Sequence, residues 1–246
     1  MQNKNVPAIT PPYWVAILVA SICGTNTGDF LSHNLHLGHW RGLLPLAAAL
    51  VIILWAKRRA RIATEAYYWL AIIVLRTAAT NLADLSTHAL GSLATEIGLT
   101  LLLIIIVAAD RGRETEAPLP SARPTVPTTT VLYWLAMLIA GTLGTASGDF
   151  TADVAGLGLF YGSAVLVVLF GVVLAIAWPF GGMSKPWYWA TIVGACTAGT
   201  TLGDMLASRH GLDLGLWVST TLTAATLATL VLLWPHRRAA DAAEVC

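Results

Sequence analysis

Four tandem repeats with a fixed internal spacing dominate this sequence. Each repeat opens with a Tyr–Trp pair, and a threonine and an aspartate follow that tryptophan by 11 and 15 residues in every copy. The pairs are Tyr13-Trp14, Tyr68-Trp69, Tyr133-Trp134 and Tyr188-Trp189, followed by Thr25 and Asp29, Thr80 and Asp84, Thr145 and Asp149, and Thr200 and Asp204. Such self-similarity is typical of a fold in which equivalent units pack against one another.

The chain is too apolar for a soluble protein of its size. Hydrophobic residues make up 57% of the 246 residues and charged residues only 11%, and the mean hydropathy is +0.71. Each repeat has room for two apolar segments of about 20 residues, the length that crosses a hydrocarbon core roughly 30 Å thick. The sequence therefore predicts an all-α polytopic membrane protein with eight transmembrane helices. These helices come from four parallel two-helix repeats, pseudo-symmetric about the membrane normal.

The spacing between repeats divides the chain into two halves. Successive motif aspartates are separated by 55, 65 and 55 residues, and the longer interval contains a segment rich in proline and charge. We expect a first half at residues 1–109, a cytoplasmic linker at 110–129 and a second half at 130–246. Each half then contains two repeats and four helices.

The basic residues predict the orientation. With the N-terminus inside, 11 of the 14 lysines and arginines are cytoplasmic, as the positive-inside rule requires. Both termini are then cytoplasmic, and the expected location is a bacterial inner membrane. The four Tyr–Trp pairs, together with Trp55, Trp178 and Trp234, are predicted to form an aromatic belt at the cytoplasmic interface.

Each motif places its polar residues on one helix face. The threonine and aspartate are four apart, and a further turn adds His33, His88, Asp153 and Ser208. At 1.5 Å per residue, each aspartate lies about 22 Å beyond its tryptophan, in the outer third of the membrane. Small residues four apart run beside every stripe, and such pairs let helices approach closely: Gly24/Gly28, Ala79/Ala83, Gly144/Gly148 and Gly199/Gly203. We expect the first helices to form an inner bundle and the second helices an outer ring.

Converging aspartates and histidines point to a cation site. Four neighbouring carboxylates repel one another unless some are protonated or a cation is present, although contacts between helices, with Arg76 neutralising one acid, would also explain them. His33 and His88 follow Asp29 and Asp84 by four residues, a spacing typical of transition-metal ligands. The candidate metal ligands are Asp29, His33, Asp84, His88, Asp149, Asp153 and Asp204. The candidate substrate-binding residues are Thr25, Thr80, Thr145, Thr200 and Arg76. His36 and His39 are expected to be ordinary loop residues.

The leading functional hypothesis is a transporter or channel for a small cation, with a divalent metal ion (manganese, iron or zinc) favoured by carboxylate and imidazole donors. One alternative is an intramembrane redox protein in which His33 and His88 ligate a haem or a metal. Another is a transporter for a small organic solute anchored by Arg76. No nucleotide loop, nucleophile elbow or HExxH motif is present, so no catalytic residue is predicted. A net charge of +1 argues against nucleic acid, which leaves the lipid bilayer and the cation or solute as partners, with homo-oligomerisation open.

The repeated strings carry a family resemblance. YWATI, GTTLGD and AGLGL, with their counterparts in the four tandem copies, resemble a bacterial family of integral-membrane proteins built from repeats of unknown function. The resemblance covers nearly the whole chain. It implies the repeat architecture, and it implies no activity.

Overall fold

A computed structural model describes residues 6–7, 9–59, 65–111, 129–177 and 184–244. Most of the predicted linker at 110–129, and Trp178 of the predicted belt, lie outside these residues. Within the described ranges the chain is all-helical, with eight long α-helices. They are α1 Pro11–Asp29, α2 Gly38–Arg59, α3 Glu65–Leu90, α4 Ser92–Arg111, α5 Val131–Asp149, α6 Gly158–Ala177, α7 Lys185–Ala207 and α8 Gly215–Glu244.

Six of these helices are long and apolar enough to cross a membrane: α1, α2, α4, α5, α6 and α8. The other two, α3 and α7, contain 26 and 23 residues, about 39 and 35 Å at the α-helical rise. Both pack beside α1 and α5, so they occupy the same layer although they carry more polar side chains. The chain is a polytopic all-α membrane protein, as predicted.

The first helices of the four repeats form a closed ring. Helix α1 packs against α3 and α7, and α5 packs against the same two helices. Over half of the apolar segments of α1 and α5 is buried, 56% and 72%, whereas only 6–22% is buried in α2, α4, α6 and α8. The predicted inner bundle with an outer ring is confirmed.

Each outer helix packs against the inner helix of the next repeat. The pairs are α2 with α3, α4 with α5, α6 with α7, and α8 with α1. The last pair closes the cycle between the end of the chain and its beginning. The inner helix of each repeat is therefore covered mainly by the outer helix of the preceding repeat.

The small residues of the motif set the distance between inner helices. Gly24 lies against Arg76 of α3, Gly144 against Cys196 of α7, and Gly199 against Ser21 of α1. A Cβ at any of these glycines would overlap the neighbouring Cβ. Close approach increases the van der Waals contact that drives helix association in lipid, and the predicted packing role is confirmed.

The Tyr–Trp pairs are buried inside the ring, so the prediction that they face the membrane interface is wrong. All eight side chains are 0–8% exposed. The tyrosine hydroxyls form a closed cycle of hydrogen bonds: Tyr13–Tyr68 at 2.9 Å, Tyr68–Tyr133 at 2.7 Å, Tyr133–Tyr188 at 2.9 Å and Tyr188–Tyr13 at 2.7 Å. We call this cycle the tyrosine ring, and the end of the bundle that contains it the tyrosine end.

Helical periodicity explains why these pairs turn inward. Each tyrosine lies 12 residues before its motif threonine, which is three steps of four along one helix face, so it points at the same axis. The tryptophans pack between tyrosines of adjacent helices, for example Trp69 against Tyr13 with ring centroids 5.8 Å apart. Most of the exposed aromatic residues lie instead on the outer helices, at Trp40, Phe160, Tyr161 and Trp217 near one end and Trp55 near the other, and Trp187 at the start of α7 is also exposed.

Candidate functional site

The residues that face the axis of the inner ring form successive levels. Above the tyrosine ring, a level of apolar side chains is fully buried: Ile17, Ile72, Met137 and Ile192. Four residues further along each helix come Ser21, Arg76, Gly141 and Cys196, then the motif threonines, and then the motif aspartates. The lining of the axis therefore changes from apolar to polar toward the end of the bundle that contains the motif aspartates, which we call the aspartate end.

Three of the four motif threonines are joined by hydrogen bonds. The Thr200 hydroxyl donates to Thr145 Oγ1 at 3.2 Å, and Thr25 Oγ1 lies 3.3 Å from Thr200 Oγ1. Thr80 instead donates to the Arg76 carbonyl of its own helix at 3.4 Å. The candidate substrate-binding threonines thus meet at one buried level.

The four motif aspartates converge one turn beyond the threonines. Each is partly buried, and repulsive coulombic interactions connect Asp204 with Asp29, Asp84 and Asp149. Four inner helices therefore direct four carboxylates toward one place near the aspartate end. Among the described residues, Asp84 is the one of the four with an ion-pair partner.

That partner is His39, which sequence reasoning treated as an ordinary loop residue; this expectation is wrong. His39 Nδ1 lies 3.0 Å from Asp84 Oδ2. Gly38, with a φ of +67°, permits the turn that starts α2, and the packing of α2 on α3 then places the second residue of α2 beside the aspartate. The His33 ring lies edge-on to the His39 ring at 5.6 Å, and His33 and His88 also interact electrostatically with Asp84.

A second residue that sequence reasoning missed is Glu96 of α4. Its Oε2 accepts a hydrogen bond from Ser147 Oγ of α5 at 2.9 Å, and its charge interacts repulsively with Asp149. An outer helix therefore adds a titratable group beside the aspartate level here, as α2 does with His39. The available signal was an acid within a second apolar segment.

The outermost residues of the predicted stripes lie at the rim. His33, His88 and Asp153 are exposed, and Ser208 lies just past the end of α7. In repeats 1 and 3 the winding changes after the aspartate to π-helical turns, at Phe30–Asn34 and Phe150–Val154, a distortion frequent at functional sites. In the described part of the chain no group of three or more His, Cys, Asp and Glu residues is arranged to hold a metal ion.

Arg76 lies on the axis between the threonines and the tyrosine ring. It is 3% exposed, and its Nη2 donates to Met137 Sδ at 3.1 Å. The absence of a side chain at Gly141 leaves room for Nη1. No ion pair joins Arg76 to a carboxylate within the described residues, in contrast to the alternative in which it neutralises a motif aspartate.

The repeat motif also matches a known family. The family model described as "Repeat of Unknown Function (DUF347)" matches residues 12–63, 132–180 and 187–239, which correspond to repeats 1, 3 and 4. The chain belongs to this family. The second repeat lies outside the matched ranges, has alanines at the two small positions and carries Arg76. No curated protein and no solved structure matches the chain.

Proposed function

We propose that this chain is a membrane transporter for a small cation, and that the motif aspartates bind that cation. The observation that carries the proposal is the convergence of Asp29, Asp84, Asp149 and Asp204 inside a closed ring of helices. Ionised carboxylates are costly in a membrane, and a cation at their level relieves both the desolvation and the mutual repulsion. Acids that served only to join helices would need donors, and Asp84 alone has an ion-pair partner in the described residues.

The donor types favour a divalent metal ion as the cargo. Carboxylates supply hard oxygen ligands, and three imidazoles surround Asp84: His39 in contact, with His33 and His88 in electrostatic range. Mixed oxygen and imidazole donors suit manganese, iron or zinc better than magnesium. The buried threonine hydroxyls below offer a second set of neutral oxygen ligands.

The closed tyrosine end favours a carrier over an open channel. Below the threonines the axis is filled by buried side chains, including Ile17 and Met137, and then by the tyrosine ring. A cation that enters from the aspartate end therefore needs a rearrangement of the helices to leave at the other. We assign the tyrosine end and both termini to the cytoplasmic side of a bacterial inner membrane, as the distribution of basic residues favours.

The test is manganese binding and uptake by the purified protein. In proteoliposomes we expect saturable uptake by the parent, and in detergent we expect saturable binding. Asp29→Asn and Asp204→Asn should reduce both, because each removes a charge from the aspartate level. The matched control is Asp213→Asn, the same change at an exposed acid beyond α7.

Other outcomes would overturn the proposal. If the parent protein binds neither manganese, iron nor zinc, these acids hold no metal. The same conclusion follows if the aspartate variants bind the metal as well as the parent does. An absorption spectrum of the purified protein separates the haem alternative, because a Soret band that disappears in His33→Ala and His88→Ala would identify those residues as haem ligands.

A further inference from the structure

The strongest unexplained feature of the inner ring is a buried positive charge that has no counter-charge among the residues that the structure describes. Arg76 is 3% exposed, its guanidinium remains protonated in proteins, and the described residues offer it no carboxylate partner. An isolated ion inside a membrane-spanning bundle is strongly unfavourable. An anion beside the guanidinium would remove most of that cost.

The same place contains hydrogen-bond donors that lack acceptors. Arg76 Nε and Nη1 are buried and have no hydrogen-bond partner in the described part of the chain. Thr145 accepts a hydrogen bond from Thr200, and no acceptor for the proton of Thr145 itself is found among the described residues. Unused donors without acceptors are the pattern that a bound anion completes.

Helix geometry brings these donors to one side of α5. Arg76 Nη1 lies where a side chain of Gly141 would be, and Thr145 follows Gly141 by one turn on the same face. The residues at the equivalent positions of the other inner helices are small, namely Ser21, Gly141 and Cys196, and Met137 contacts Nη2 from the side of the tyrosine ring. Since the glycines hold the inner helices in close contact, any occupant must be small.

We infer that Arg76 and Thr145 form a binding site for a small monovalent anion on the axis of the inner ring. Chloride and a carboxylate of the size of formate both have the required charge and hydrogen-bond acceptors. The site goes beyond the proposed cation transport, and its test needs no bound metal ion. Asp149 lies eight residues beyond Gly141 and four residues beyond Thr145, about 12 and 6 Å along the helix.

The experiment measures thermal stability of the full-length protein in detergent, with a chelator present and sodium gluconate replaced stepwise by sodium chloride or sodium formate. We expect a saturable rise in melting temperature for the parent with at least one of the small anions, because a ligand that binds only the folded state stabilises it. Arg76→Gln should abolish this rise. Arg41→Gln, the same change at an exposed arginine, should retain it.

A second readout covers the case in which Arg76→Gln does not fold. Binding to the parent should broaden the NMR line of chloride, and excess formate should reverse the broadening if both anions share the site. Thr145→Val should weaken the binding of the anion, since it removes a hydrogen-bond donor and keeps the volume of the side chain. The inference is overturned if neither anion produces a saturable effect on the parent, or if Arg76→Gln or Thr145→Val folds and responds as the parent does. Failure of manganese binding leaves these measurements unaffected, so the two proposals fail separately.

Discussion

His39 Nδ1 lies 3.0 Å from Asp84 Oδ2, and the two residues belong to different repeats. His39 is at the start of the outer helix of repeat 1, whereas Asp84 is in the inner helix of repeat 2. Because every outer helix packs on the inner helix of the following repeat, each inner helix is covered by a helix that its own repeat does not supply. In the described residues the outer helix brings an imidazole to Asp84 and a repelling carboxylate, Glu96, near Asp149.

This contact predicts that His39→Ala weakens metal binding. Loss of a group that holds a metal-binding carboxylate lowers affinity by about 10–100-fold in comparable sites. The measurement is manganese affinity in detergent at constant pH, with His210→Ala as a control at an exposed histidine on the same side. Unchanged affinity in His39→Ala would remove the imidazole from the proposed site.

The tyrosine ring predicts a large cost for a small change. Tyr68→Phe removes one hydroxyl and with it two of the four hydrogen bonds, and it leaves neighbouring buried hydroxyls with an unmatched donor or acceptor. We expect a loss of about 1–3 kcal/mol in the free energy of unfolding, measured by denaturation in detergent. Tyr161→Phe, at a tyrosine that is 70% exposed, should have little effect.

A double variant provides a stricter test of the ring. Tyr68 and Tyr133 share one hydrogen bond, so the combined variant Tyr68→Phe and Tyr133→Phe loses three bonds, whereas the two single variants together lose four. The double variant should therefore cost less than the sum of the two singles. Strict additivity would indicate that the hydroxyls do not act as a closed cycle.

Glycine packing predicts opposite effects for the same substitution at two places. Gly199→Ala puts a methyl group against Ser21 of the adjacent inner helix, and we expect destabilisation of about 1–3 kcal/mol through overpacking. Gly171→Ala on α6 meets nothing within 4 Å, so it should be neutral or stabilising by up to about 1 kcal/mol. The comparison uses melting temperatures in one detergent, and equal shifts would contradict the packing described for the inner ring.

The charge distribution predicts the topology. Reporter fusions after Lys57, Arg113, Lys185 and Arg238 should all report the cytoplasm, and a fusion after Gly91, in the turn between α3 and α4, should report the external side. A cytoplasmic signal at Gly91 together with external signals at the other positions would invert the proposed orientation. A mixture within the first group would contradict eight crossings.

Features that repeat along a single helix could be predicted from the sequence. Features that depend on contacts between helices could not. The spacing of Thr25 and Asp29 fixed a common face, and the small residues beside it indicated which face was buried. His39 was missed because no local pattern reveals that α2 packs on α3 of the next repeat. The sequence predicts an interfacial position for the Tyr–Trp pairs because aromatic residues at the end of an apolar segment are commonly interfacial. Four-residue steps from Thr25 back to Tyr13 would have placed that tyrosine on the axis.

The contact of α8 with α1 has a consequence for how such a molecule could arise. Closure of the ring requires four inner helices. Each repeat then needs to supply only one outer helix that packs on the inner helix of the next repeat. A polypeptide with two of these repeats could then close the same ring as a two-fold symmetric dimer, since the last outer helix of one copy would cover the first inner helix of the other. Fusion of two such genes would produce a single chain in which one copy is free to lose its symmetry, as Arg76 and His39 have no counterparts at the equivalent positions of the second half.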